Sequence, residues 1–525
     1  MNNAGCKTVC LMLLCLSLVL SAAPLVRAEG DPVSGEQFKK VLQELKEIRS
    51  ENRKLASEVK SLKHEKAAGD AALLVRIKDL ESRLQERAAG ALPAKDMEFI
   101  QEDVAQLTKL MDVVERKTLL DRLEIGAELR VRADWFDYKN NDTNHEEQVS
   151  GLFSNRLRLN LFSQITDRLR FNGRLVSYFN WNDNSQPSFP LHNSNNRARI
   201  PDDTDVKVER AYLDYFFNFG ELFPMALTVG RLPNTDGMPT DLRNDTERKS
   251  TFPSFMWDLE TDGAVLSLEL NKLTGLKKSA LRFLCGRIVL DSDQSLYRPG
   301  VYAPDNMDLF ALQFETGFHR MRNTMLMLSA VYAPEWISPS LYSLGFRLKE
   351  DPGELGSVVK LGAYIQSKRF LQSNFDIFAG MGYARVDGNG KAAVWSTLGG
   401  LARMPLALNS SDGNRDTSSW GLHVGFRYNI PWQLLNGAKL GVEYNHGTKY
   451  WLGVNRGSDD PFGKLGTRGD AWEFYYIQPI DRHFKLRAGC ILVDSRYSGA
   501  NNVTYDPERI DEKLQDVYFL LDATF

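Results

Sequence analysis

Cysteine is almost missing from this chain, and most of what there is crowds one end. Of five cysteines in 525 residues, Cys6, Cys10 and Cys15 lie near the start, which leaves Cys285 and Cys490. Both fall on the apolar side of an alternating stretch (Leu281, Phe283, Cys285; Leu486, Ala488, Cys490, Leu492), where a thiol behaves as a small hydrophobe and no disulfide is expected. No Cys-x-x-Cys-His haem attachment motif and no Cys/His zinc spacing occurs, so no cofactor and no metal site is expected. The seven histidines are scattered without a metal-ligand cluster or a nucleophile motif, and the chain reads as a non-enzyme. Excess positive charge is lacking as well. A formal charge of -3, or -5 if Lys7 and Arg27 are removed with a leader, argues against a nucleic-acid partner. Past residue 28 no apolar run approaches the roughly 18 residues that a membrane-crossing helix needs.

What is present begins with an export signal. Lys7 provides a positive start, Val9 to Leu20 an apolar core too short to span a bilayer, and Val26-Arg27-Ala28 an end with small residues at the positions a signal peptidase reads. Residues 1–28 are therefore expected to be a signal peptide, and the mature chain either dissolves in an exported compartment or crosses a membrane as strands. Aromatic residues make up 10% of the chain although its mean hydropathy is -0.35, a mix that alternating lipid-facing and water-facing strands produce.

Residues 29–118 read as helical. Phe38, Val41, Leu45 and Ile48, then Asn52, Leu55, Val59 and Leu62, step by threes and fours in a heptad seam, with Asn52 as the polar residue that would set register. The pattern resumes at Leu73 and breaks at Gly90 and Pro93. So thin an amphipathic helix cannot bury its seam alone. A periplasmic coiled coil that makes the chain a homo-oligomer, a trimer being favoured, is the expectation; a solvated helix or an intramolecular hairpin at Gly90 is the alternative.

Near residue 119 the period changes to two and stays so to Phe525, where Val517, Phe519, Leu521 and Ala523 alternate with Asp522 and Thr524. Segments of about ten residues are separated by turns that are short and long by turns, the habit of membrane barrels. Short ones are read at 166–168, 271–277, 387–390 and 481–483, and long ones at 137–150, 182–205, 233–260, 291–307, 455–469 and 499–515. The expected fold is an all-β transmembrane barrel of about 16 to 18 antiparallel strands over 119–525, wide enough to enclose water, preceded by the coiled coil.

On the first three strands the apolar faces run Ile125 to Trp135, Leu157 to Leu161 and Leu169 to Leu175. The opposite faces carry Arg130, Arg132, Arg156, Arg158, Arg168, Arg170 and Arg174. An arginine facing lipid near the midplane costs about 2 to 4 kcal/mol, so these are expected to line the lumen. The stretch 233–260 carries Asp236, Asp241, Asp245, Glu247 and Asp258, is stiffened by three prolines, and holds Phe252, Phe255, Met256 and Trp257, which a freely solvated loop would not need. Folded inward, it would set acidic groups against the arginines and filter solutes by size and charge. Alternatively, the arginines form a structural ion-pair network with lumen carboxylates such as Glu124, Glu128, Glu209 and Asp214; both can hold at once.

Asn155-Arg156-Leu157-Arg158-Leu159-Asn160, Val208-Glu209-Arg210-Ala211-Tyr212-Leu213-Asp214-Tyr215 and Val229-Gly230-Arg231-Leu232-Pro233-Asn234-Thr235-Asp236-Gly237 resemble a family of porin-like outer-membrane proteins of unknown function, whose members also begin with a signal peptide and a coiled stretch. The resemblance implies an outer-membrane barrel and names no substrate. Trimeric porins are similar in overall plan only, and they lack the helix before the barrel. The sequence thus points to a porin in the outer membrane of a Gram-negative bacterium. Its helices would lie in the periplasm, outer-membrane lipid would surround it, and small hydrophilic solutes or ions would diffuse through it passively. Rival readings are an envelope tether with the barrel as anchor, and a sheath around a partner such as an electron-transfer cytochrome.

Overall fold

Strict alternation hydrogen-bonds only edge to edge, and a sheet long enough and twisted enough can remove both edges by meeting itself. This chain does so. The structure, a computed structural model, describes residues 123–525 apart from 182–205, 220–222, 277, 289–306, 319–320, 322, 338–346, 351–353, 398–401, 411–412, 433–434, 456–462 and 500–505. The expected signal peptide and the heptad helices with Asn52 lie outside the described residues.

The strands are β1 (Leu123–Asn140), β2 (His145–Gln164), β3 (Leu169–Asn180), β4 (Val206–Phe219), β5 (Phe223–Arg231), β6 (Thr261–Glu269), β7 (Ala280–Ile288), β8 (Asp308–Gly317) and β9 (Thr324–Ile337) in the first half. The second half holds β10 (Arg347–Glu350), β11 (Glu354–Ser367), β12 (Phe375–Gly388), β13 (Ala393–Thr397), β14 (Ala402–Leu406), β15 (Thr417–Asn429), β16 (Lys439–Gly447), β17 (Gly469–Pro479), β18 (Phe484–Tyr497) and β19 (Arg509–Thr524). Sixteen of them form one closed antiparallel barrel, and β10, β13 and β14 form a separate three-stranded sheet on the connections around β11 and β12. The ring closes where β19 pairs with β1, Asp522 opposite Arg130, and the last residue continues the ladder as Phe525 N–H donates to the Ala127 carbonyl at 2.9 Å.

Judged by the strand bounds, connections alternate as expected between a rim of short ones (β2 to β3, β4 to β5, β6 to β7, β8 to β9, β11 to β12, β15 to β16 and β17 to β18) and a rim of longer ones. Two expectations are corrected. The stretch 137–150 is no long loop: β1 and β2 continue past their apolar alternation, joined only by 141–144, with a register shift at Asp134/Trp135. Pairing outlasts the apolar pattern there because backbone hydrogen bonds do not need lipid on the outer face. Asp387–Gly390 is not a short turn; it ends β12 on the long rim, and the connection onward carries β13 and β14.

Outward positions are apolar and uncovered: Ile125 is 67% exposed, Met381 58%, Leu361 48% and Phe283 48%. Inward positions on the same strands are charged and buried, among them Arg130 of β1 and Lys360 of β11. A soluble barrel has the reverse polarity. Burying such a belt in lipid while keeping charge inside is the arrangement of a barrel that stands in a bilayer, with Trp135, Trp420 and Trp472 toward the long rim and Phe375, Phe484 and Phe525 toward the short one.

Candidate functional site

Loop 232–260, which joins β5 to β6, enters the barrel and crosses it, and it owes this to its own composition. Phe252, Trp257 and Leu259 are at most 5% exposed and join an apolar cluster with Val265, Leu284, Leu309, Val331, Val358 and Val386 of the inner wall and Leu452 and Val454 of loop 448–468. Phe255 and Met256 pack with Trp451 and Leu465 of that second loop, the Phe255 and Trp451 rings stacked at 4.9 Å. Glycines in the wall make the room. A Cβ on Gly421 would come within 2.6 Å of the Trp451 ring, and one on Gly382 within 2.6 Å of the same ring and 3.1 Å of Phe255. Lys360 of β11, fully buried, joins the two loops: its ammonium donates to the carbonyls of Met256 at 2.9 Å and Leu452 at 2.7 Å and stands 5.0 Å from the centre of the Trp451 ring.

The crossing loop is also tied down by charge at both ends of its span. Against β1 to β4, the Asp236 carboxylate lies 3.1 Å from Arg158, 3.5 Å from Arg174 and 3.8 Å from Arg210. Lys249 pairs with Glu128 of β1 at 2.6 Å. Burial pushes the Lys249 ammonium down to about 8, against the pull of that carboxylate. Against the opposite wall, the one-turn helix α1 (Thr240–Asn244) brings Arg243 to Glu443 of β16 (3.4 Å) and Glu473 of β17 (3.1 Å). The same two carboxylates accept from Lys464 of loop 448–468. Glu443 and Glu473 face each other in register, so without these two loop cations like charges would stand side by side. Asp245, at the end of α1, takes Lys439 at 2.7 Å and Arg427 at 3.0 Å. Burial alone would raise its carboxyl, but the Lys439 hydrogen bond and the charges of Arg427 and Lys485 hold it below the usual range.

The seven arginines picked from the sequence divide. Arg130, Arg132, Arg156, Arg158 and Arg174 are buried inside the barrel, at most 9% exposed. Arg130 pairs with Asp522, Arg132 with Asp134 and Asp516, and Arg158 forks onto Glu209 at 2.8 and 2.9 Å. Arg168 and Arg170 depart from the expectation: Arg168 sits exposed in the turn after β2, and Arg170 is exposed at the short rim, bonded to Gln164 and lying over the Phe216 ring. Of the loop acids, Asp236, Asp241, Asp245 and Asp258 are drawn into the lumen, Asp241 meeting Gln366 and Lys368 and Asp258 accepting from the Asp236 backbone, whereas Glu247 is exposed. The ion-pair alternative is visible at Glu128 and Glu209; Glu124 is exposed, and Asp214 binds Thr228 and Asn172.

Reading by alternation misses Arg210. Arg174 faces Arg210 and Leu175 faces Val208, so Glu209 is one residue too many, and the bulge turns both Glu209 and Arg210 inward. It also misses the wall cations Lys360, Arg427, Lys485 and Arg487, which alternate plainly but gain meaning only from the loop that meets them. Cys285 and Cys490 are both free. No group of His, Cys, Asp and Glu suited to a metal ion occurs among the described residues.

The sequence pattern of a family described as "Protein of unknown function (DUF3373)" matches residues 146–523. None of the curated proteins matches the chain. Among solved structures it is similar to OprB of Pseudomonas putida at high pH, with 11% identity over 78% of this chain and 96% of that one and a TM-score of 0.45. Salmonella typhi OmpF in complex with daunomycin gives 9% identity over 77% and 97%, with a TM-score of 0.41. OmpT, an outer membrane protein of Vibrio cholerae, gives 10% identity over 77% and 97%, with a TM-score of 0.38.

Proposed function

The chain belongs to that family of unknown function, and we propose that it is an outer-membrane channel whose loop 232–260 narrows the lumen to a charge-lined passage for small hydrophilic solutes or ions. One observation carries the reading. A loop that crosses the barrel is held to one wall through Asp236 and Lys249 and to the other through Arg243 and Asp245, so that the cross-section is set by ion pairs rather than by the ring of strands. A barrel needs no such span to stand in lipid. Buried, paired charge makes the passage narrow and selective, because a passing ion must exchange hydration for fixed side chains. The arginines act here as loop anchors and as the source of a positive potential along β1 to β4. Within this proposal the helical segment before the barrel joins copies of the chain through the seam that includes Asn52, and lies in the periplasm.

The anchor reading, a plugged barrel that tethers the envelope, draws support from the same burial. Conductance in planar bilayers separates the two. A channel gives small steps that grow when Asp236 and Asp245 are both changed to Asn; an anchor gives none from either protein.

A further inference from the structure

We infer that Arg427, Lys439, Lys485 and Arg487, on the inner face of β15, β16 and β18, form a binding site for a small polyvalent oxyanion of the phosphate type, occupied in this structure by the loop's own Asp245 and the carbonyls before it. The inference rests on the channel reading and gives that channel a solute class.

The contacts run along the chain residue by residue. Arg427 donates to the Leu242 carbonyl at 2.7 Å and to Asp245 Oδ1 at 3.0 Å. Arg487 donates to the Arg243 carbonyl at 2.8 Å and to Asn244 Oδ1 at 2.6 Å. Lys485 donates to the Asn244 carbonyl and, at 3.3 Å, to that of Asp245, while Lys439 takes Asp245 Oδ2 at 2.7 Å. Four cations therefore converge on the end of a one-turn helix, and among those contacts the only full negative charge is Asp245.

The wall supplies one paired carboxylate to these four cations, and it goes to Arg427. Asp376 is paired with Arg427 at 2.7 Å and Asp522 with Arg130 at 2.6 Å. Among the described residues, Lys485 and Arg487 have no carboxylate in an ion pair, and Arg487 Nε has no hydrogen-bond partner although the residue is 6% exposed. Neutral carbonyls satisfy donors but compensate a buried cation only in part. An oxyanion with three or four acceptor oxygens and two charges would meet the same donors, forking onto the guanidinium groups, and bring the charge the loop lacks.

The place is reachable. Lys439 opens β16 and Lys485 lies next to the first residue of β18, both at the short-turn rim. The Lys439 and Asp245 side chains are 16% and 25% exposed, unlike the buried pairs deeper in the lumen. A solute entering from that rim meets the socket first and competes with Asp245 for it, which couples anion occupancy to release of the loop end.

The test is calorimetric titration of the full-length protein in detergent with inorganic phosphate in chloride buffer. Asp245→Asn keeps the shape and the left-handed backbone of that position (φ 49) and removes the internal competitor. It is expected to bind phosphate about tenfold more tightly than the wild type, and adding Lys485→Gln is expected to reverse the gain, with sulfate competing and excess chloride not. Equal phosphate affinity in all three proteins overturns the inference and marks the cations as a loop anchor only. Should Asp245→Asn not assemble, wild type against Lys485→Gln decides at higher phosphate, where equal heats overturn it. Phosphate binding in a protein without conductance would keep the site and sink the channel; conductance indifferent to phosphate, with no binding heat, would do the reverse.

Discussion

Replacing Asp236 by Asn tests whether charge holds the loop across the barrel. The change is nearly isosteric and suits the backbone, since residue 236 has φ 61, where Asn is tolerated. It removes a carboxylate that is 6% exposed and lies 3.1, 3.5 and 3.8 Å from three guanidinium groups. Breaking a buried pair by removing one partner costs about 3 to 5 kcal/mol. The lower end applies, because Arg158 keeps its fork on Glu209 and Arg174 keeps Glu209 at 3.6 Å and Glu128 at 3.9 Å. A loss of about 3 kcal/mol raises the undocked fraction of the loop about a hundredfold. Trypsin reads that fraction, for the loop holds Arg243, Arg248 and Lys249, and cleavage follows the open population when reclosing outpaces cutting. Cleavage within 243–249 should therefore accelerate about a hundredfold in purified, detergent-held protein while the barrel strands stay intact. Digestion at the wild-type rate would show that apolar packing alone seats the loop.

Two further outcomes rest on the same contacts. Gly421→Val puts a side chain where the Trp451 ring lies, so loop 448–468 should lose its seat and the emission of Trp451, isolated by replacing the other tryptophans with Phe, should shift red; an unshifted spectrum would mean that the ring has another place to go. Lys249 titrates at about 8 in the docked loop and near 10.5 when released, so the released state binds more protons between those values and docking should strengthen as pH rises from 8 to 10.5. Lys249→Met should flatten that part of the melting-temperature profile; a profile identical to the wild type's would remove Lys249 from the account.

Much of the barrel was legible because lipid imposes a rule that each residue obeys by itself. Leu157 and Leu159 must point out and Arg156 and Arg158 in, whatever the rest of the chain does. Strand ends were less legible, since the pairing of β1 with β2 past Trp135 depends on backbone bonds that leave no mark in hydropathy. The inward loop was partly visible: Phe252, Phe255, Met256 and Trp257 are too apolar for water, and they became its keel. Its partners were not visible. Nothing near Lys360 in sequence predicts Met256 or Leu452, some hundred residues away, and one inserted residue at Glu209 defeats the count that would have placed Arg210. Arg168 and Arg170 share the parity of Arg174, but parity does not tell depth along the barrel axis.

The facing pair of Glu443 and Glu473 means that the loops cannot be treated as removable furnishings. A ring stripped of Arg243 and Lys464 would leave two adjoining carboxylates with only the Tyr518 hydroxyl and His423 beside them, and would draw protons or dissolved cations to them instead. A shortened version made to widen the bore would therefore answer to acidity and to divalent salts in a way that the intact protein, which carries its own counterions, does not.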